Sequence, residues 1–179
     1  MKKFLLLLPI LFFLACEDDK KDEPIDNTPS LEIIESKVTV AVDVPESETP
    51  NFAYEGYIDF RNTSNSEKTY TISMEFNQVS EDLGAGFCTA TLCYPAQVTD
   101  FHPTDDPFTL QPGQAASEVF LPGIVSGIKH GFSIDFYVDY NYDQVYEPGT
   151  IDVDVSFINV DDPTDVLTQN FTFAFTRGS

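Results

Sequence analysis

From residue 38 onward this chain keeps returning to a period of two, and no other feature limits its fold so strongly. Val38, Val40, Val42 and Val44 alternate with Thr39, Ala41 and Asp43. Phe52, Tyr54, Ile58 and Phe60 share one face of the next run. Tyr70, Ile72, Met74 and Phe76 alternate with Thr71, Ser73 and Glu75. Later, Phe132, Ile134, Phe136 and Val138 alternate with Ser133, Asp135 and Tyr137, and Ile151, Val153, Val155 and Phe157 with Asp152, Asp154 and Ser156. Leu167, Phe171, Phe173 and Phe175 close the series. Successive side chains of a strand point to opposite faces, so each run reads as a half-buried strand. "NTSNSE" (62–67) and "DDPTD" (161–165) are turns by composition, and "FTLQPGQAASEVFLP" (108–122) reads as strand, Pro-Gly turn, strand. No amphipathic helix of useful length interrupts the pattern. The expectation is an all-β fold, a single antiparallel β-sandwich of about seven to nine strands over residues 31–179.

The start of the chain is different. Lys2 and Lys3 precede an apolar run from Phe4 to Ala15, broken only by Pro9. Even as a helix that run would reach roughly 18 Å, too short for a bilayer core that takes about 20 apolar residues. Basic start, short apolar stretch and small residue before a break are the parts of a secretory signal over residues 1–15. Phe13-Leu14-Ala15-Cys16 resembles the lipobox of bacterial lipoproteins, with Phe13 where that family usually has Leu. The resemblance implies that Cys16 is lipidated and becomes the first mature residue, which makes the membrane a partner through a lipid anchor. Glu17-Asp18-Asp19 resembles the acidic export signal of Bacteroidota-type lipoproteins. It implies the outer membrane, with the domain exposed at the cell surface. Residues 16–30, "CEDDKKDEPIDNTPS", are charged, hold two prolines and lack aromatics. They read as a flexible linker spanning roughly 20 Å as a loose coil.

The Pro-Gly turn inside "LQPGQ" and the late hairpin "NVDDPTDVLTQNFTFAF" resemble immunoglobulin-like and fibronectin-III-like modules of bacterial surface proteins. The sandwich is therefore expected to be immunoglobulin-like. Fold alone assigns no function.

Removing residues 1–15 takes away Lys2 and Lys3 and no acid, leaving 7 basic against 30 acidic side chains, a formal charge of −23. Such a field repels nucleic acid and anionic lipid surfaces and favours cations or basic proteins. Of three cysteines, Cys16 is taken by the lipid, which leaves Cys88 and Cys93. In an oxidising envelope these two are expected to form a disulfide. A redox site more often has two residues between its cysteines, and here there are four.

Acids form the best constellation. Asp135, Asp139, Asn141 and Asp143 fall on one strand face as far as the strand runs, and Asp152 and Asp154 on the polar face of the following run. Were the two runs a hairpin, these carboxylates would oppose one another, and a hard cation would relieve the repulsion. Asp139, Asn141, Asp143, Asp152 and Asp154 are thus candidate Ca²⁺ ligands, although Gln144 stands where an EF-hand-like loop needs Gly and Thr150 where it needs Glu. No other cofactor is expected. Tyr137, Tyr142 and Tyr146 are candidate contacts for a protein or glycan. His102 and His130 each sit beside a turn residue, and no Gly-x-Ser-x-Gly elbow or His-rich zinc motif is present. The reading is a non-enzymatic surface lipoprotein for binding, adhesion or an accessory role in an envelope assembly. A fimbrial-type structural subunit is the alternative, and a carbohydrate-active hydrolase stands behind both.

Overall fold

The computed structural model describes residues 28–45, 53–89, 92–119, 131–138 and 147–178. Among them, ten strands form two five-stranded sheets. They are β1 (Leu31–Lys37), β2 (Thr39–Pro45), β3 (Ala53–Asn62), β4 (Lys68–Val79), β5 (Leu83–Cys88), β6 (Cys93–Gln97), β7 (Phe108–Leu110), β8 (Phe132–Val138), β9 (Gly149–Asn159) and β10 (Val166–Gly178). Sheet 1 has the order β1-β3-β8-β5-β6 and sheet 2 the order β2-β10-β9-β4-β7. The neighbours β1-β3-β8 on one side and β10-β9-β4 on the other are the A-B-E and G-F-C sets of an immunoglobulin-like sandwich. Every pairing is antiparallel except β2 with β10, which is parallel.

Alternation decides what faces inward. Phe60, Phe132, Phe136, Phe157, Phe171, Phe173 and Phe175 are all fully buried between the sheets. Phe132 of sheet 1 meets Phe157 of sheet 2 edge-on at 5.2 Å between centroids, and Phe136 stacks on Phe173 at 5.4 Å. Each buried ring contributes about 2–3 kcal/mol of transfer free energy. A well-placed aromatic pair adds roughly 1 kcal/mol.

Two local expectations are corrected. The runs that became β8 and β9 are not a hairpin. β8 is flanked by β3 and β5, and β9 by β10 and β4, so both edges of each are taken and the two meet only across the core. Asp135 therefore does not oppose Asp152 or Asp154. The second half of 108–122 is also no strand where it is described. Gly113 takes φ 75° in the turn, and the chain then returns along Asn62, with Asn62 N–H donating to Gln114 O and Gly113 N–H to Asn62 O. Ala116–Glu118 then winds into a 3-10 turn. The Asp59 carboxylate holds that turn, accepting from Ser117 N–H at 3.0 Å and Ser117 Oγ at 2.7 Å.

The chain enters the domain through a clasp. Ser30 donates from its N–H to Asp165 Oδ1 at 2.8 Å and from its hydroxyl to Asp165 Oδ2 at 2.6 Å. Tyr70, whose ring is buried, reaches Ser30 Oγ at 2.6 Å, and Asn159 Nδ2 donates to Asp165 Oδ2 at 2.9 Å. Thr63 N–H closes on Ser30 O at 2.8 Å. Ser30 thus ties the start of β1 to the β3–β4 and β9–β10 turns at one pole. The opposite pole carries the β4–β5 turn, where Ser80 and Thr150 bond reciprocally.

Burial raises the Asp165 carboxyl, but the Ser30 and Asn159 donors together outweigh it and hold the group below the ordinary carboxylate range. A depressed carboxyl stabilises the fold above its unfolded value, and that contribution is lost as pH falls through the folded value. Ser30→Ala should therefore cost about 1–3 kcal/mol at neutral pH. The gap from wild type should narrow in acid, as read by urea unfolding at both pH values. A gap that does not change with pH would contradict the clasp.

Candidate functional site

The two outer faces of the sandwich hold the candidate residues. On sheet 2, Asp152 and Asp154 stand two apart on β9 and point outward while Ile151, Val153 and Val155 fill the core. Their register neighbours include Asn170 on β10 and Glu75 on β4, both beside Asp154. No cation is needed to explain how the two aspartates coexist. Asn170 Nδ2 donates to both, reaching Asp154 Oδ1 at 2.9 Å. From the other side Asn77 Nδ2 donates to Asp154 Oδ2 at 3.0 Å and to Asp152 Oδ1 at 3.4 Å. A bulge between Phe76 and Gln78 brings Asn77 to this position. Among the described residues no group of three or more acidic, histidine or cysteine side chains is arranged to hold a metal. Asp139, Asn141 and Asp143 lie outside the described residues, as do Tyr142, Tyr146, His130 and Cys16.

Further along the same face His102 Nδ1 lies 3.0 Å from Ser73 Oγ. Ser73 is only 7% exposed, and the nearby Asp100 carboxylate accepts from Phe76 N–H instead of orienting the histidine. This pair ties the segment after β6 to the edge of β4, where Phe101 and Met74 exchange backbone bonds. Among the described residues it lacks the third group that makes a serine a nucleophile.

On sheet 1, the outward row of β8 is Ser133, Asp135 and Tyr137, and that of β3 is Glu55, Tyr57, Asp59 and Arg61. Glu55 is the register partner of Asp135, and Tyr57 that of Ser133. Asp135 is 8% exposed although it points away from the core. Burial first, then the Glu55 charge, push its carboxyl above the ordinary range, and a hydrogen bond from Tyr137 opposes them. β6 supplies part of the cover. A Cβ on Gly86, the other register partner of Asp135, would lie 2.7 Å from Tyr94 O and 3.1 Å from Ala96 N, so β6 lies over the outer side of β5. Glycine here is required by that close approach. The sequence marked Asp135 and Tyr137 at this site; the alternating Gly84 and Gly86 of β5 were an unread signal of the close approach, and Glu55 carried none.

Cys88 and Cys93 are joined as expected. They are direct register partners on β5 and β6, so the disulfide locks the hairpin that covers Gly86. Within the loop Thr89 N–H donates to Leu92 O at 2.7 Å, and the Thr89 hydroxyl is held by Asp106.

No protein-family model matches this chain, and no curated protein matches it. Solved structures do. It is similar to the N-terminal domain of PorA, at 13% identity and a TM-score of 0.41 over 85% of this chain and 100% of that one. It is similar to the CooA pilin subunit from enterotoxigenic Escherichia coli, at 7% identity and a TM-score of 0.44 over 84% and 100%. The periplasmic chaperone SfaE matches at 9% identity and a TM-score of 0.37 over 83% and 58%. The likeness is one of general sandwich shape and carries no functional inference.

Asn170→Ala should lower stability by about 0.5–1.5 kcal/mol, because a charged acceptor pair loses its shared donor at the surface. Added Ca²⁺ should not restore it, and melts of the natural chain with Ca²⁺ and with chelator should coincide. A Ca²⁺-dependent rise would put a cation on this face. Cys88→Ser with Cys93→Ser should cost roughly 2 kcal/mol by the loop-entropy estimate for so short a ring, read by denaturant melts.

Proposed function

We propose that this chain is a lipid-anchored, non-enzymatic binding module of the bacterial outer membrane, held through Cys16 and displayed at the cell surface. One observation carries the choice of a binding module over a strand-exchanging subunit: among the described residues the sandwich is filled by its own strands and the four edges are blunted. β10 lies between β2 and β9, so no strand position inside sheet 2 is open to a donor. At the edges, β1 has a bulge between Ile33 and Glu35, β6 contains Pro95, β2 ends at Pro45, and β7 is three residues long. Natural proteins use these devices to stop strands from pairing with another chain.

Orientation supports the same reading. The chain enters at Ser30, so an anchor at Cys16 tethers the pole formed by the β3–β4 and β9–β10 turns. The pole with the β4–β5 turn then faces away from the membrane. Its partner would be a protein or glycan that tolerates a surface of formal charge −23. A basic or neutral ligand fits, and nucleic acid does not. Hydrolysis is disfavoured by the burial of Asp135, the one carboxyl raised above its ordinary range among the described residues, which a sugar ring would have to reach.

Light scattering on the mature chain should give a monomer whose melting temperature is independent of concentration. Filaments, or folding that requires an added strand, would overturn the module reading in favour of a subunit. Cys16→Ser should move the protein from the membrane fraction to the soluble one. Protease added to intact cells should cut the natural chain, and cutting only after lysis would place it on the periplasmic side.

A further inference from the structure

Glu55 and Asp135 are an unusual pair to find opposite each other. Like charges at directly opposed positions destabilise a sheet. These two occupy such positions on β3 and β8, in the middle of sheet 1, with Gly86 of β5 as the next residue across. β6 lies over Gly86, and Asp135 is 8% exposed. Glu55 Oε1 is shut off from solvent and has no hydrogen-bond partner among the described residues.

Among the described residues no cation stands directly opposite either carboxyl. β5, β6 and β8 contain no Lys, Arg or His at all. On β3 the one basic residue is Arg61, far along the strand and paired with Glu32 at 3.6 Å. On β1, Lys37 is the register partner of Tyr57, beside the pair and solvent-exposed. The other ionisable groups on this face are Tyr57 and Tyr137, Asp59, which is bound to Ser117, and Glu35, the register partner of Asp59. Tyr94 of β6 points into the core against Phe87 and Phe101. The donor that reaches Asp135 is Tyr137.

We propose that Asp135, buried directly opposite Glu55, holds a proton at the β3–β8 seam and makes it a pH-sensitive joint, tighter when Asp135 is protonated and looser when it is ionised. A buried carboxyl that faces another carboxylate ionises above its ordinary value. With the proton in place, one carboxyl donates to the other and the orphaned oxygen gains a partner. Without it, two negative charges face each other across the β3–β8 seam, and the favoured relief is for β6 to lift from Asp135 and admit water. The raised Asp135 carboxyl agrees with this.

A raised carboxyl contributes stability that is fully present below its unfolded value and is lost as pH rises through the folded one. This sign is opposite to that of the Asp165 clasp, so the two are separable in one titration. The test is urea unfolding of the mature full-length chain against pH, for the natural protein, Asp135→Asn and Glu55→Gln, together with carboxyl-carbon NMR of Asp135. Either variant should lower the unfolding constant at neutral pH, on the order of tenfold. Each should also abolish the fall in stability above the ordinary carboxylate range, and Glu55→Gln should return Asp135 toward its ordinary titration. Because the two variants alter opposite strands, failure of one to fold leaves the other as the test. An Asp135 that titrates in the ordinary range in the natural chain, or a pH slope unchanged by both variants, would overturn the proposal.

Discussion

Everything else in this domain depends on a sheet of phenylalanine rings clamped between two β-sheets. Phe60, Phe132 and Phe136 come from sheet 1, and Phe157, Phe171 and Phe173 from sheet 2. Phe60 and Phe157 approach to 4.4 Å between centroids, and Phe132 touches both Phe157 and Phe171. The rings are large enough to fill the space between sheets about 10 Å apart. Their period of two fixes the register of each strand, because a slip by one residue would turn the whole row out to solvent. The strict alternation of β9 and β10 follows from this constraint, and so does the outward placing of nearly every carboxylate.

What is left outside the core explains the rest of the architecture. A chain with this excess of acid must put its carboxylates on two outer faces and keep them compatible. It uses three solutions. At Asp152 and Asp154 the answer is amide donors from both neighbouring strands. At Asp165 it is a cluster of hydroxyl and backbone donors that also fastens the start of the domain. At Glu55 and Asp135 donors are scarce, and burial raises the Asp135 carboxyl. The Asp165 cluster favours an ionised carboxylate, whereas burial opposite Glu55 favours a protonated Asp135.

The sequence is readable where one physical signal dominates. Alternation marks β3, β4, β8, β9 and β10, and spacing and compartment chemistry lead to the Cys88–Cys93 bond. Alternation says which face a residue takes but not which strand lies beside it. For that reason β8 and β9, adjacent in sequence, read as a hairpin although they belong to opposite sheets. The same gap hides Asp135: an aspartate on the polar side of a strand looks solvated until β6 is seen to lie over Gly86. Ser30, the last residue of a segment with a linker's composition, gives no local sign of its bonds, since its partners Asp165 and Tyr70 are 135 and 40 residues away. Asn77 and Asn170 are likewise ordinary strand residues until the sheet brings them to the aspartates.

A sandwich that is complete within one chain needs β2 to close the otherwise exposed edge of β10. Native-state hydrogen exchange on dilute mature protein tests this most directly. The β2–β10 ladder pairs Val40 with Phe173 and Val42 with Phe175 in parallel. The amides of that ladder should be protected, and their protection should not change with protein concentration. Rapid exchange along β2 and β10 in the monomer, or protection that appears only as concentration rises, would show that the closing strand comes from another chain.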